Sequence, residues 1–204
     1  MFCATTALFA QQVLYPVAGQ DSRLSNSRIE ASLNREDPPI FVAERPFAQK
    51  IKVGFPKEDS IGFLPDTGAA IIVLSVEIQN LSQTLMELDL AKFTVTDATS
   101  RKYSRLSAAE AFDRIMAETP LHRNILTRTI RGASLGRLSS KEDVDQAKRK
   151  TVLLALESGQ VPAHGFKEGL IFFEAPTQKN FTVSVTVGDL WPRPFTFTSI
   201  QPKQ

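Results

Sequence analysis

Hydrophobic and polar residues alternate with a period of two over much of this chain. The clearest run is 70–80, where Ile72, Leu74, Val76 and Ile78 point one way. Ile71 and Val73, then Ser75, Glu77 and Gln79, point the other way. That predicts a strand buried on both faces at its start and wet on one face at its end. Ile51, Val53 and Phe55 share a face of an earlier extended segment with Lys50 and Lys52 opposite, and Pro56 ends it. Met86, Leu88 and Leu90 alternate with Glu87 and Asp89, and then the phase slips, because Phe93 and Val95 are the next apolar positions. A bulge or a change of sheet near Ala91 accounts for the slip. After Gly159 the same period returns in 170–174, in Phe181, Val183, Val185 and Val187, and in Phe195 and Phe197. Roughly seven short strands with turn residues between them predict a two-sheet β fold.

The period changes to that of a helix in 104–158. Ser107 and Glu110 have the spacing of a capping box, followed by Ala111, Phe112, Ile115 and Met116, and Thr119-Pro120 stops the run. Ser139 and Glu142 form a second such box ahead of Val144, Ala147, Thr151, Leu154 and Ala155, with Gly159 where a helix C-cap belongs. Residues 121–138 mix arginines with Ile125, Leu126 and Ile130 and read as a third short helix and a loop. The helices form one block and do not alternate with strands, which argues against a parallel α/β sheet. The fold expected is therefore mainly β: an antiparallel β-sandwich over 46–204, which the resemblance given below makes immunoglobulin-like, with an α-helical insertion, 104–158, between its middle strands.

The first 45 residues read differently. Residues 2–10, FCATTALFA, followed by two glutamines, look like the end of a truncated secretory signal peptide with cleavage after Ala10. Residues 11–45 have little apolar surface and read as a polar arm or linker. A short helix around 27–33 is the alternative to the linker there, and Ile40-Phe41-Val42 reads as a first edge strand.

Three stretches resemble a group of bacterial exported immunoglobulin-like domains of unknown function. They are Val76-Glu-Ile-Gln-Asn80, Phe93-Thr-Val-Thr-Asp97, and Val161-Pro-Ala-His-Gly165 running into Gly169-Leu-Ile-Phe-Phe-Glu-Ala-Pro176. The resemblance covers 50–104 and 159–199, and the helical block departs from it. It implies export and a non-enzymatic role, and carries no site residues with it.

Charge is uneven. Residues 101–150 hold twelve Lys or Arg against six Asp or Glu, a local +6, so the remainder of a chain of net charge +2 carries −4. Arg114, Arg123, Arg128, Arg131, Arg137, Lys148, Arg149 and Lys150 lie in or beside the helical block. They read first as a solvated helix surface and more sharply as a docking face for an acidic protein partner in the cell envelope, or for an anionic lipid surface. Nucleic acid is not expected, since Phe112 is the one aromatic residue among the helices.

Candidate catalytic and metal-binding chemistry is sparse. Gly132-Ala-Ser134-Leu-Gly136 matches the nucleophile-elbow pattern, with Asp143 or Asp145 and His164 in the right chain order, but an elbow needs a parallel-sheet strand before it and a helix immediately after. His122 and His164 have no ligand partners at helical spacing, and Cys3 is the one cysteine, so neither metal nor cofactor is expected. No stretch reaches the ~20 apolar residues of a membrane-spanning helix. The reading that follows is a non-enzymatic, exported accessory or interaction protein, periplasmic or extracellular. Its alternatives are a small serine hydrolase using Ser134, and a module holding a lipid or small hydrophobe against Phe112, Ile115, Met116, Leu154 and Ala155.

Overall fold

The structure, a computed structural model, describes residues 15–17, 28–32, 40–54, 71–118, 141–176 and 181–198. Those residues are mainly β, with antiparallel sheets and two helices. In chain order the strands are β1 (Tyr15–Pro16), β2 (Arg28–Ser32), β3 (Ile40–Arg45), β4 (Gln49–Gly54), β5 (Ile71–Asn80), β6 (Met86–Leu88), β7 (Phe93–Asp97), β8 (Lys102–Tyr103) and β9 (Arg105–Leu106). Helices α1 (Ala108–Glu118) and α2 (Lys141–Leu153) follow, and then β10 (Gly159–Val161), β11 (Phe166–Glu174), β12 (Thr182–Val187) and β13 (Phe195–Thr198). One sheet has the order β2-β3-β4-β5-β11-β9, a second β1-β13-β12-β7-β8, and β6 pairs with β10 in a short ribbon.

The two large sheets share a hydrophobic core. Phe41, Ile51, Val53, Leu74, Val76, Ile78, Ile171 and Phe173 enter it from the six-stranded sheet; Val95, Val183, Val185, Phe195 and Phe197 enter it from the five-stranded one. The Phe41 ring lies 5.5 Å from that of Phe195 and 5.1 Å from that of Phe197. These residues recur every second position, which is what places them all on the inner faces. The phase slip near Ala91 is a change of sheet. β6 pairs with β10, a single 3₁₀ turn (Leu90–Lys92) re-aims the chain, and β7 joins the five-stranded sheet beside β12.

Residues 11–45 contain strands and not only a polar arm. β2 pairs with β3 from Arg28↔Glu44 to Ser32↔Ile40, and β1 pairs with β13. Neither the linker nor its alternative, a helix around 27–33, holds for 28–32, which is β2, and β3 lies inside the sheet between β2 and β4 rather than at its edge. Backbone pairing to a neighbour supplies here what apolar burial did not predict. Gly159 is not a helix cap. α2 ends at Leu153, and Gly159, at φ +139°, opens β10.

α1 begins as its capping box predicts. Ser107 N–H and Oγ–H donate to Glu110 Oε2, both at 2.8 Å, and Glu110 N–H returns to Ser107 Oγ at 3.2 Å. These bonds hold the Glu110 carboxyl below its ordinary pKa. Both helices cover the outer face of the six-stranded sheet. Val73, Leu106, Leu170 and Phe172 from the sheet meet Ala111, Phe112 and Ile115 of α1 in a second, smaller core, with Val144, Ala147, Leu154 and Ala155 packed beside it. The molecule is therefore layered as sheet, main core, sheet, satellite core, helices.

After α2 the chain crosses from one core to the other. Leu170 N–H donates to Leu154 O at 2.8 Å and Leu156 N–H to Leu170 O at 2.9 Å, a parallel bridge at Ala155↔Leu170. Leu154 belongs to the satellite core, and Leu156 to the main one. Gly169 permits the crossing, since a Cβ there would sit 2.7 Å from Leu156 N and 2.8 Å from Leu156 Cα.

Candidate functional site on the outer face of helix α2

Helical phase decides which cations of α2 are available. Val144, Ala147 and Thr151 turn toward α1 and the sheet, and Thr151 Oγ1 donates to Ala147 O at 2.9 Å. Lys148 lies on the flank and is committed within the fold: its Nζ is 2.7 Å from each carboxylate oxygen of Asp113 on α1 and 6.0 Å from the centroid of the Phe112 ring. Arg114 is committed as well, with Nη2 2.7 Å from Glu174 Oε1 at the end of β11. That guanidinium holds the Glu174 carboxyl below its ordinary pKa. Both pairs are largely solvated, so each adds at most about 1 kcal/mol and serves mainly to orient the helices.

Two further cations of the helix, Arg149 and Lys150, point outward. Both are exposed, and Arg149 Nε–H donates back to Asp145 O at 3.3 Å. Three and four residues further on, over the same turn, comes Leu153, 84% exposed, with the exposed Val152 beside it. The result is a large apolar side chain framed by two cations at the C-terminal end of the helix, just before the chain is tied to β11. Lys150 also faces the negative end of the helix dipole, which is reason enough for a cation there. No such reason applies to Leu153.

The sequence-predicted cations thus separate. Arg114 and Lys148 are internal struts, and Arg149 faces solvent. Arg123, Arg128, Arg131 and Arg137 lie outside the described residues, as do Ser134, Cys3, the signal-like start and the second capping serine. His164 is an exposed turn residue at φ +57°, and Asp145 lies on the exposed face of α2. Phe112 and Ile115 are buried in the satellite core, with Met116, Leu154 and Ala155 packed against it. Among the described residues no three His, Cys, Asp or Glu side chains gather as a metal site, and no helix is long and apolar enough to cross a membrane. Sequence reasoning missed Leu153 and Val152. Their signal was available, since the inward set 144, 147, 151 and 154 leaves position 153 on the outside.

No protein-family model matches the chain, and no curated protein matches it. Among solved structures it is similar to one from Bacillus subtilis subsp. subtilis str. 168, described as "a putative lipoprotein (ycdA)", with TM-score 0.35 and 15% identity. The match covers 75% of this chain and 36% of that one, so this chain spans about a third of that protein. A likeness so distant carries no conclusion about fold or function.

Proposed function

We propose that the protein is a non-enzymatic interaction module exported to the cell envelope, of immunoglobulin-like descent, which docks an acidic protein partner on the outer face of α2. The observation that carries this reading is Leu153, 84% exposed beside Arg149 and Lys150. An apolar anchor ringed by cations matches the usual composition of an interface, in which one buried side chain supplies affinity and charges supply steering. The signal-like residues 2–10 supply the argument for export.

The test is a pull-down from envelope extracts of the source cell with the full chain, with Leu153→Asp, and with Arg149→Glu/Lys150→Glu. The reading expects an acidic protein retained by the unaltered chain. Its capture should fall by about tenfold with Leu153→Asp, and should weaken with salt through the two cations. Equal capture by all three proteins, or no capture by any, sinks it.

A further inference from the structure

Three turns meet at one end of the molecule. Residues 46–48 join β3 to β4, 81–85 join β5 to β6, and 162–165 join β10 to β11. Hydrogen bonds fix their proximity. Leu81 N–H donates to Ala48 O, and Asn80 N–H to Gly165 O, both at 2.9 Å. The fully buried Asn80 side chain completes the tie. Its amide donates to the carbonyls of Thr84 (2.8 Å), Pro162 (3.0 Å) and Val161 (3.1 Å), and its Oδ1 accepts from Ser82 N–H (3.0 Å) and Ser82 Oγ–H (2.7 Å). A buried amide satisfied on both sides makes the second and third turns one preorganised unit, and the Leu81–Ala48 bond joins the first to it.

This unit displays large apolar side chains. Phe47 is 90% exposed, Phe166, the first residue of β11, 63%, and Leu85 56%. Phe47 is doubly unfavourable for the isolated protein. Its ring is in water, and its backbone is held at φ +61°, a region a bulky residue rarely enters. His164, in the neighbouring turn, is left-handed too, at φ +57°. Neither burial nor backbone preference selects phenylalanine at 47, whereas a contact made by this surface does.

Charge identifies the kind of contact. Residues 46–48, 81–85 and 162–166 contain no Asp, Glu, Lys or Arg. The charged groups begin behind the tip and are of both signs: Arg45 over the Trp191 ring, Lys50 at 3.9 Å from Glu44, Lys167 reaching the Glu157 carbonyl, and the exposed Glu87 and Glu168. A partner of either sign would find nothing to pair with at the tip, whereas a medium that penalises charge would find nothing to reject. We propose that this end inserts Phe47, Leu85 and Phe166 into the interfacial layer of a phospholipid bilayer, with Arg45, Lys50 and Lys167 at the level of the headgroup phosphates. The surface is distinct from the α2 face, and neither proposal rests on the other.

Vesicle flotation with the full chain tests it, using phosphatidylcholine vesicles and vesicles containing phosphatidylglycerol. The unaltered protein should float with both and more strongly with the anionic ones. Phe47→Ser/Phe166→Ser should reduce flotation by about tenfold while leaving thermal unfolding unchanged, because both rings are solvated. Phe47→Trp should show a blue-shifted emission on adding vesicles, and Leu153→Asp should float like the unaltered protein. The proposal is overturned by flotation of neither vesicle type, by flotation indifferent to the double substitution, or by a solution dimer that Phe47→Ser dissociates, which would give the surface to a second copy.

Discussion

Phe172 and Phe173 are neighbours on β11 that face opposite ways, and they belong to two different cores. Phe173 enters the main core, where side chains arrive from two sheets that are each paired along their length. Phe172 enters the satellite core, closed by two helices and by the two-residue strand β9. Both rings are almost fully buried. The difference lies in what surrounds them. The main core is held by long-range strand pairing on both sides. The satellite is held by one capped helix, a second helix packed beside it, and two solvated ion pairs. Stability in the molecule should therefore be graded, with the helical layer loosening before the sheets part.

The largest expected effect tests that grading directly. Phe173→Ala should cost about 3–5 kcal/mol and lower the urea midpoint of the whole fold. Phe172→Ala should cost roughly 1–2 kcal/mol less, because a helix packed on a sheet can settle into the space left behind. Amide exchange separates the two cases further. Phe172→Ala should speed exchange in α1 and leave β5 and β12 protected. If both substitutions lower protection everywhere by the same amount, the two cores are one cooperative unit and the comparison fails.

That division was only partly legible in the sequence. Strands with one wet face, such as β12, and the double-faced start of β5 announced themselves by period, because burial on one or two faces is written directly into residue alternation. The Ser107–Glu110 box placed the start of α1 for a similarly local reason. What escaped depends on partners far away in sequence. β2 is a strand through its backbone ladder to β3, and β9 through two residues of contact with β11, and neither has an apolar signature of its own. The early end of α2 was hidden because Ala155 leaves the helix to bridge Leu170, a tertiary event that helical spacing cannot show. The exposed Phe47 was not legible because its exposure comes from a left-handed turn that residue alternation does not announce.

Gly169 offers a second, smaller test of how far the two cores are separate, because they meet there. Gly169→Ala would drive a methyl group against the backbone of Leu156, and backbone cannot yield as a flexible side-chain tip can. The crossing segment would have to lift off β11, withdrawing Leu154 from one core and Leu156 from the other. A cost of about 1–3 kcal/mol is expected, from overpacking alone. The informative readout is coupling: combined with Phe172→Ala, the loss should be less than additive, because the first change has already loosened the layer the second destabilises. Strict additivity would mean that the crossing does not link the cores.

Acid supplies the gentlest probe, and it acts on one side of the comparison. Two carboxylates of the helical layer, Glu110 in the capping box and Glu174 beside Arg114, are held below the ordinary glutamate value of 4.5. A carboxyl whose pKa is depressed in the folded state stabilises fully above that value. The stabilisation fades as the pH falls through the lowered one, because the unfolded chain then takes up protons more readily. Lowering the pH below about 4.5 should therefore loosen α1 while the main core, which contains no carboxylate, keeps its protection. Asp97 is the one depressed carboxyl in the five-stranded sheet, held down to about 2 chiefly by the Thr99 hydroxyl and also by Tyr103, so the β7–β8 turn should give way only at lower pH. Amide exchange along an acid series reads the order. The early loss at α1 should shrink in Glu110→Gln, which cannot titrate, and in Arg114→Leu, which removes the cation that depresses Glu174. Simultaneous loss at α1 and β12, unchanged by either substitution, would show that acid attacks the fold as a whole and that the helices are not the weaker layer.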